Sequence, residues 1–279
     1  MPKGEDEINV SRNLAIARQK RADILLMNGD TAGALKSYRE TRSFLEPMSK
    51  ADPQNTMLVS DVATMDYHEG RVLATEGHYR EALSSLQRAA KVFKNLHTLG
   101  RPMDDAVHGP SDVDIWLGDT YAGLADFQSA LQYYREAGAD LEDTNPGETK
   151  VSEKDKSSMD DDTRCELGTV YVRTGRALMR LGELPEARVM VQKALDVSRA
   201  SSATERRDVA ALYVVADAQA ALGDIAVAQT HDAVGEERAR LKKEASASYE
   251  ASTETWRQIP NPSVISPGGF LSHSRSRAR

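Results

Sequence analysis

The sequence predicts an all-α chain, a solenoid of about five helix-turn-helix repeats. Three observations predict it. Aromatic residues make up only 5% of the chain while alanine recurs in nearly every block of ten, a composition that suits closely packed helices better than sheets built from β-branched and aromatic residues. A hydrophobic fraction of 40% over 279 residues supplies a core, and 28% charged residues with a formal net charge of −7 describe an ordinary globular surface. Finally, one local pattern recurs five times: a helix-length run ends at a glycine or small-polar turn, and an alanine follows within a few residues.

Taken in order, the chain opens on Met1-Pro2-Lys3-Gly4-Glu5-Asp6-Glu7, acidic and without the apolar core of a secretory signal, so residues 1–9 are expected to be disordered. The repeats are expected to fill residues 10–259. The first is Leu26-Met27-Asn28-Gly29-Asp30 leading to Ala34 and Tyr38; the second, Ala74-Thr75-Glu76-Gly77-His78-Tyr79 leading to Ala82, Leu86 and Ala89. Leu124-Ala125-Asp126-Phe127 leads to Ala130, Tyr134 and Ala137. Leu181-Gly182-Glu183-Leu184 leads to Ala187, Val191 and Ala194, and Leu222-Gly223-Asp224-Ile225 to Ala228. In each, a first helix stops where glycine accepts left-handed backbone angles, and a second begins about three residues later. Within the second helices, Ala82, Leu86, Ala89, Phe93 and Leu96 step by the 4 and 3 of one helical face, as do Ala130, Tyr134, Ala137 and Leu141. The first helices carry a small residue seven positions before the turn, at Ala22, Gly70, Gly118, Gly175 and Ala216.

That combination, a small residue in helix one, glycine at the turn, then alanine with a large apolar residue four later, resembles the tetratricopeptide (TPR) repeat over roughly residues 10–259, and the resemblance implies a right-handed superhelical solenoid. The turn alanines lie 48, 48, 57 and 41 residues apart in place of the family's 34, so helices or connectors must be longer. A narrower resemblance rests on Ala51-Asp52-Pro53-Gln54-Asn55, on Trp116-Leu117-Gly118-Asp119-Thr120-Tyr121, and on Trp256-Arg257-Gln258-Ile259-Pro260 with Ser266-Pro267-Gly268-Gly269-Phe270. These are similar to the C-terminal TPR region of bacterial multidomain serine/threonine protein kinases. No glycine-rich phosphate loop, His-Arg-Asp loop or Asp-Phe-Gly motif is present, so the resemblance implies an adaptor or regulatory role and not kinase activity.

Irregular stretches interrupt the pattern. Residues 98–112 contain Gly100-Arg101-Pro102 and Gly109-Pro110 and are expected to form a loop. Residues 139–163 carry nine acids against three lysines and are expected to be a mobile acidic insertion, with Ser157 and Ser158 as candidate modification sites. The charged run from Gly235 to Glu244 predicts one long final helix over about 225–258, with Glu236 and Arg240 four apart on a solvated face. Pro260-Asn261-Pro262 then ends helicity, and an extended segment with a basic tail is expected over 260–279.

Searching for chemistry yields exclusions. Tyr67-His68-Glu69-Gly70 lacks the second histidine of a zinc-protease helix, since Val72 stands there, and Asp160-Asp161-Asp162 lacks the glycine and distal glutamate of a calcium loop. Cys165, the single cysteine, excludes an internal disulfide and has no neighbouring histidine. No metal, no cofactor and no enzymatic activity is expected, nor a nucleic-acid surface, a helix-turn-helix DNA reader or a membrane span. The expected function is a protein-binding adaptor, the alternative a detached regulatory region of a bacterial serine/threonine kinase; the expected place is the cytoplasm, or the periplasm under that alternative. The TPR resemblance places the partner, a protein or peptide, on the concave face lined by first helices. Candidate residues there are Gln19 and Asp23, Tyr67 and Arg71, Asp119, Arg176 and Arg180, and Tyr213 and Asp217. Arg71, Arg176 and Arg180 are the candidate anion contacts and Tyr67 and Tyr213 the candidate anchors. The set does not reproduce the carboxylate clamp of chaperone-binding TPR proteins.

Overall fold

A computed structural model describes residues 5–100, 109–143, 161–201 and 209–259. Ten α-helices stand among the described residues: α1 (Glu5–Met27), α2 (Thr31–Ala51), α3 (Thr56–Thr75), α4 (Tyr79–Thr98), α5 (Pro110–Gly123), α6 (Phe127–Asp143), α7 (Asp161–Leu181), α8 (Leu184–Ser201), α9 (Val209–Gln229) and α10 (Gly235–Arg257). They follow one another as helix pairs in two compact units, one running to Leu124 and the other starting at Ala125.

The turns explain the pairing. At the first, the Gly29 N–H donates to the Leu26 carbonyl (3.0 Å) and the Asp30 N–H to the Leu25 carbonyl (2.9 Å), the two bonds of a Schellman end. Equivalent pairs close α3, from Gly77 to Ala74 and His78 to Leu73, and α7, from Gly182 to Met179 and Glu183 to Leu178. All three glycines have φ between 82° and 86°, the left-handed region where a Cβ is strained. The residue after each turn starts the next helix, Asp30 by accepting from the Gly33 N–H at 2.9 Å. At the third turn the left-handed position is held by a non-glycine, Ala125, at φ 62°.

Between the helices of a pair, the small residue of the first sits under a large apolar residue of the second. A Cβ added to Gly70 would lie 2.5 Å from Leu86 Cγ, and one added to Gly175 would lie 2.5 Å from Val191 Cγ2. Both partners are fully buried, as is Tyr38 of α2. In the first unit the resulting core joins Ala15, Ala22, Ala34, Tyr38, Leu45, Leu58, Met65 and Val72.

Four expectations change. The chain is helical from Glu5, so the disorder expected through residue 9 does not extend over 5–9; residues 1–4 lie outside the described residues. Pro110 is the first helical residue of α5 rather than part of a loop to 112, because proline's fixed φ and missing N–H suit the first helical position. The flanks of the acidic insertion are helical, to Asp143 and from Asp161, while 144–160, including Ser157 and Ser158, lie outside the described residues. The last repeat departs most: α9 continues through Gly223 to Gln229, residues 230–234 separate it from α10, and no single helix runs from 225 to 258. Gly223 is therefore no turn glycine. It serves close approach instead, since a Cβ there would lie 2.6 Å from the Tyr249 ring. The segment 260–279 lies outside the described residues.

By length and composition α9 is apolar enough to cross a membrane; in the structure 50% of that stretch is buried, and the helix packs against α7, α8 and α10. Two stability measurements follow. Ala125→Gly relieves a strain of about 1–2 kcal/mol and loses part of that gain to the extra freedom of glycine in the unfolded chain, so urea denaturation is expected to show stabilisation of about 0.5–1 kcal/mol. Gly70→Ala drives a methyl into fully buried Leu86 and is expected to destabilise by about 1–3 kcal/mol in the same assay.

The first-helix faces

In the first unit, residues from α1, α3 and α5 meet along one line. Gln19 Nε2 lies 2.9 Å from His68 Nε2, and Asp23 accepts the Tyr38 hydroxyl proton at 2.6 Å. The Tyr38 ring stacks on His68 at 5.0 Å and 8°, and the Tyr67 ring meets His68 edge-on at 5.3 Å and 64°. The Arg71 guanidinium then lies 5.2 Å from the centre of the Tyr67 ring and 5.3 Å from that of Trp116 on α5. At the outer end of α1, Arg12 holds Asp61 through two bonds, 2.6 and 3.2 Å. Burial, then the hydrogen bond to Asp23, pushes the Tyr38 hydroxyl far above the ordinary tyrosine range, opposed weakly by Arg71.

In the second unit the face is more open. Arg176 of α7 grips Asp217 of α9 with two nearly parallel bonds, 2.9 and 2.6 Å, each side chain keeping around two fifths of its surface exposed. One helical turn on, exposed Arg180 lies over the Phe127 ring at 4.7 Å. Tyr213 is buried, its ring edge-on to Trp256 at 5.1 Å, and its hydroxyl has no hydrogen-bond partner among the described residues, so burial raises its pKa.

No protein-family model and no curated protein sequence matches the chain. Solved structures do. BtubC (BKLC) from P. vanneervenii aligns with a TM-score of 0.60 at 18% identity, over 91% of this chain and 90% of that one. A putative kinesin light chain from Podosopora anserina, with nearly identical TPR-like repeats, aligns with a TM-score of 0.55 at 13% identity, over 88% of this chain and 97% of that one. The fold is a TPR-like repeat solenoid. Repeats of this kind are typically protein–protein interaction scaffolds, because stacked pairs present one extended surface made of equivalent helices.

Within the TPR-like fold the sequence-predicted residues separate into two groups. Gln19, Asp23, Tyr67 and Arg71 come together, as do Arg176 and Asp217. Tyr67 and Tyr213, expected as exposed anchors, are buried at 2% and 8% exposure, because each ring is packed into its own unit, against His68 and against Trp256. Asp119 is also buried, and Arg71 is half-buried between two rings. Sequence reasoning missed His68, Tyr38 and Trp116. For His68 register carries a signal: Gln19 meets His68 and Arg12 meets Asp61, each 49 residues on, close to the 48 that separates the first turn alanines. Arg176 meets Asp217 41 residues on, the spacing between Ala187 and Ala228. Of the kinase-like segments, residues 260–270 lie outside the described residues.

Because the folded state holds the Tyr38 proton more tightly than the unfolded chain, this contribution is complete below the ordinary tyrosine pKa of about 10 and is lost as pH rises beyond it. Tyr38→Phe is expected to lower the urea midpoint at pH 7, and to fall less steeply than the wild type between about pH 10 and 12. Parallel slopes for the two proteins would show that Tyr38 ionisation is not linked to folding.

Proposed function

We propose that this protein is a non-catalytic scaffold that holds a peptide or helix of a protein partner, with the decisive contacts made on the α7–α9 face of the second unit. The observation that carries this reading is the state of the arginines. Arg71 is half-buried and enclosed by Tyr67 and Trp116, whereas Arg180 is exposed and held in place by Phe127, with the solvent-accessible Arg176–Asp217 pair one turn away. A guanidinium already fixed by an aromatic face loses little conformational freedom on meeting a carboxylate, so such a side chain favours binding more than a freely rotating one. The typical scaffold role of TPR-like repeats supports the same reading.

The test is site-specific photocrosslinking in the host's cells, with the crosslinking amino acid at position 180 or, as a control on a second helix, at position 36, where Lys36 is exposed. A discrete protein adduct is expected from position 180 and none from position 36. An additional Asp217→Arg substitution, which reverses the charge beside Arg176 at a part-exposed position of α9, is expected to reduce that adduct at least tenfold. Adducts from position 36 alone would place the binding surface on the second helices instead.

A further inference from the structure

One position in the first helices is charged in every pair. It follows the small crossing residue, and its sign alternates along the chain: Asp23 after Ala22, Arg71 after Gly70, Asp119 after Gly118, Arg176 after Gly175 and Asp217 after Ala216. Within each unit successive first helices pack on one another, α1 on α3, α3 on α5 and α7 on α9. Opposite charges therefore occupy equivalent positions on neighbouring helices. In the second unit they meet directly, Arg176 holding Asp217 through bonds of 2.9 and 2.6 Å. In the first unit Arg71 stands between the helices that carry the two acids. Its guanidinium lies 5.3 Å from the centre of the Trp116 ring, one turn before Asp119 on α5, and its charge opposes the rise that burial and Asp23 cause in the Tyr38 pKa.

The crossing residues cannot tell one pair from another, since Gly70, Gly118 and Gly175 are alike. Stacking a pair on the wrong neighbour, or on a pair of a second copy, is the characteristic failure of repeat proteins. We propose that the alternating charge is a stacking code, admitting the next pair in the chain and turning away a pair of like sign. The like-sign encounters are the wrong ones: Asp23 with Asp119 if the second pair is skipped, and any pair with the same pair of a second copy. An ion pair as exposed as Arg176–Asp217 adds little to stability by itself. What the code supplies is the difference between a neighbour that attracts and one that repels.

Positions 176 and 217 test the proposal in the full chain, because their side chains keep 38% and 44% of their surface exposed and a reversal there buries no charge. Arg176→Asp and Asp217→Arg each set like charges side by side, and each is expected to lower the melting temperature by about 2–4 °C. Added to Arg176→Asp, however, Asp217→Arg is expected to raise the melting temperature. Lost packing cannot reverse the sign of an effect in this way; only a coupling between the two charges can. Partner choice is read by refolding the two single variants together at about 100 μM, followed by size-exclusion chromatography. A mixed dimer is expected, formed by exchange of α9 with α10, because each α7 then meets an α9 of opposite sign. Either variant refolded alone should dimerise no more than the wild type, and about 1 M salt should suppress the mixed dimer. A loss from Asp217→Arg in both backgrounds, or a mixture no more dimeric than its components, overturns the proposal.

Discussion

The close approach of a small residue in one helix to a large apolar residue in the next is the contact on which the other features depend. Where Gly70 meets Leu86 and Gly175 meets Val191, a built Cβ would lie within 2.5 Å of its neighbour, so each helix pair has a single permitted crossing point. With the crossing point fixed, the Schellman turns at Gly29, Gly77 and Gly182 can be short, because the second helix must start directly beside the end of the first. Short turns in turn leave the first helices stacked on one another, and that stacking sets which side chains meet across the repeats.

Helix α3 shows what stacking demands of a sequence. It is wrapped by α1, α2, α4 and α5, and residues 63–70 are buried without interruption. Its polar side chains must find partners inside the protein, because an unpaired buried charge costs several kcal/mol. Asp66 forms an ion pair with Arg42 of α2 at 2.9 Å and accepts from Arg88 of α4 at 2.6 Å, and Glu69 accepts from Arg39 of α2 at 2.7 Å. Such pairs add little net stability when compared with a well-packed apolar core. Their effect is on register: a slip of one residue along α3 would bury both carboxylates away from their arginines, a penalty that apolar packing alone does not impose.

The repeats were readable because a periodic feature is repeated evidence. Five small residues seven positions before a turn, and five alanines after it, outweigh any one misplaced glycine. Gly223 is that misplaced glycine: it shares the residue type and spacing of the turn glycines, but in the chain's fifth pair the space beside it is taken by the Tyr249 ring, so the helix passes straight through. A sequence shows that a backbone position needs a missing Cβ without showing whether the need is a left-handed angle or a near neighbour. Ala125 shows the converse, a left-handed position without a glycine.

The candidate face was legible only as a list of helix positions, because exposure depends on what the neighbouring repeat places opposite each one. Tyr67 and Arg71 occupy the same helix face and were read alike, yet the ring is buried against His68 and the guanidinium is fixed half-buried beside Trp116. Arg180 has the same repeat logic and a different outcome, since Phe127 lies beneath it and nothing among the described residues encloses it. Whether such a side chain becomes an internal strut or stays exposed is therefore decided by the adjacent pair and not by the residue itself. For the same reason Val10 and Ile24 of α1 are exposed while Leu58 and Val72, 48 residues on in α3, are buried: the helix pair before α3 covers them.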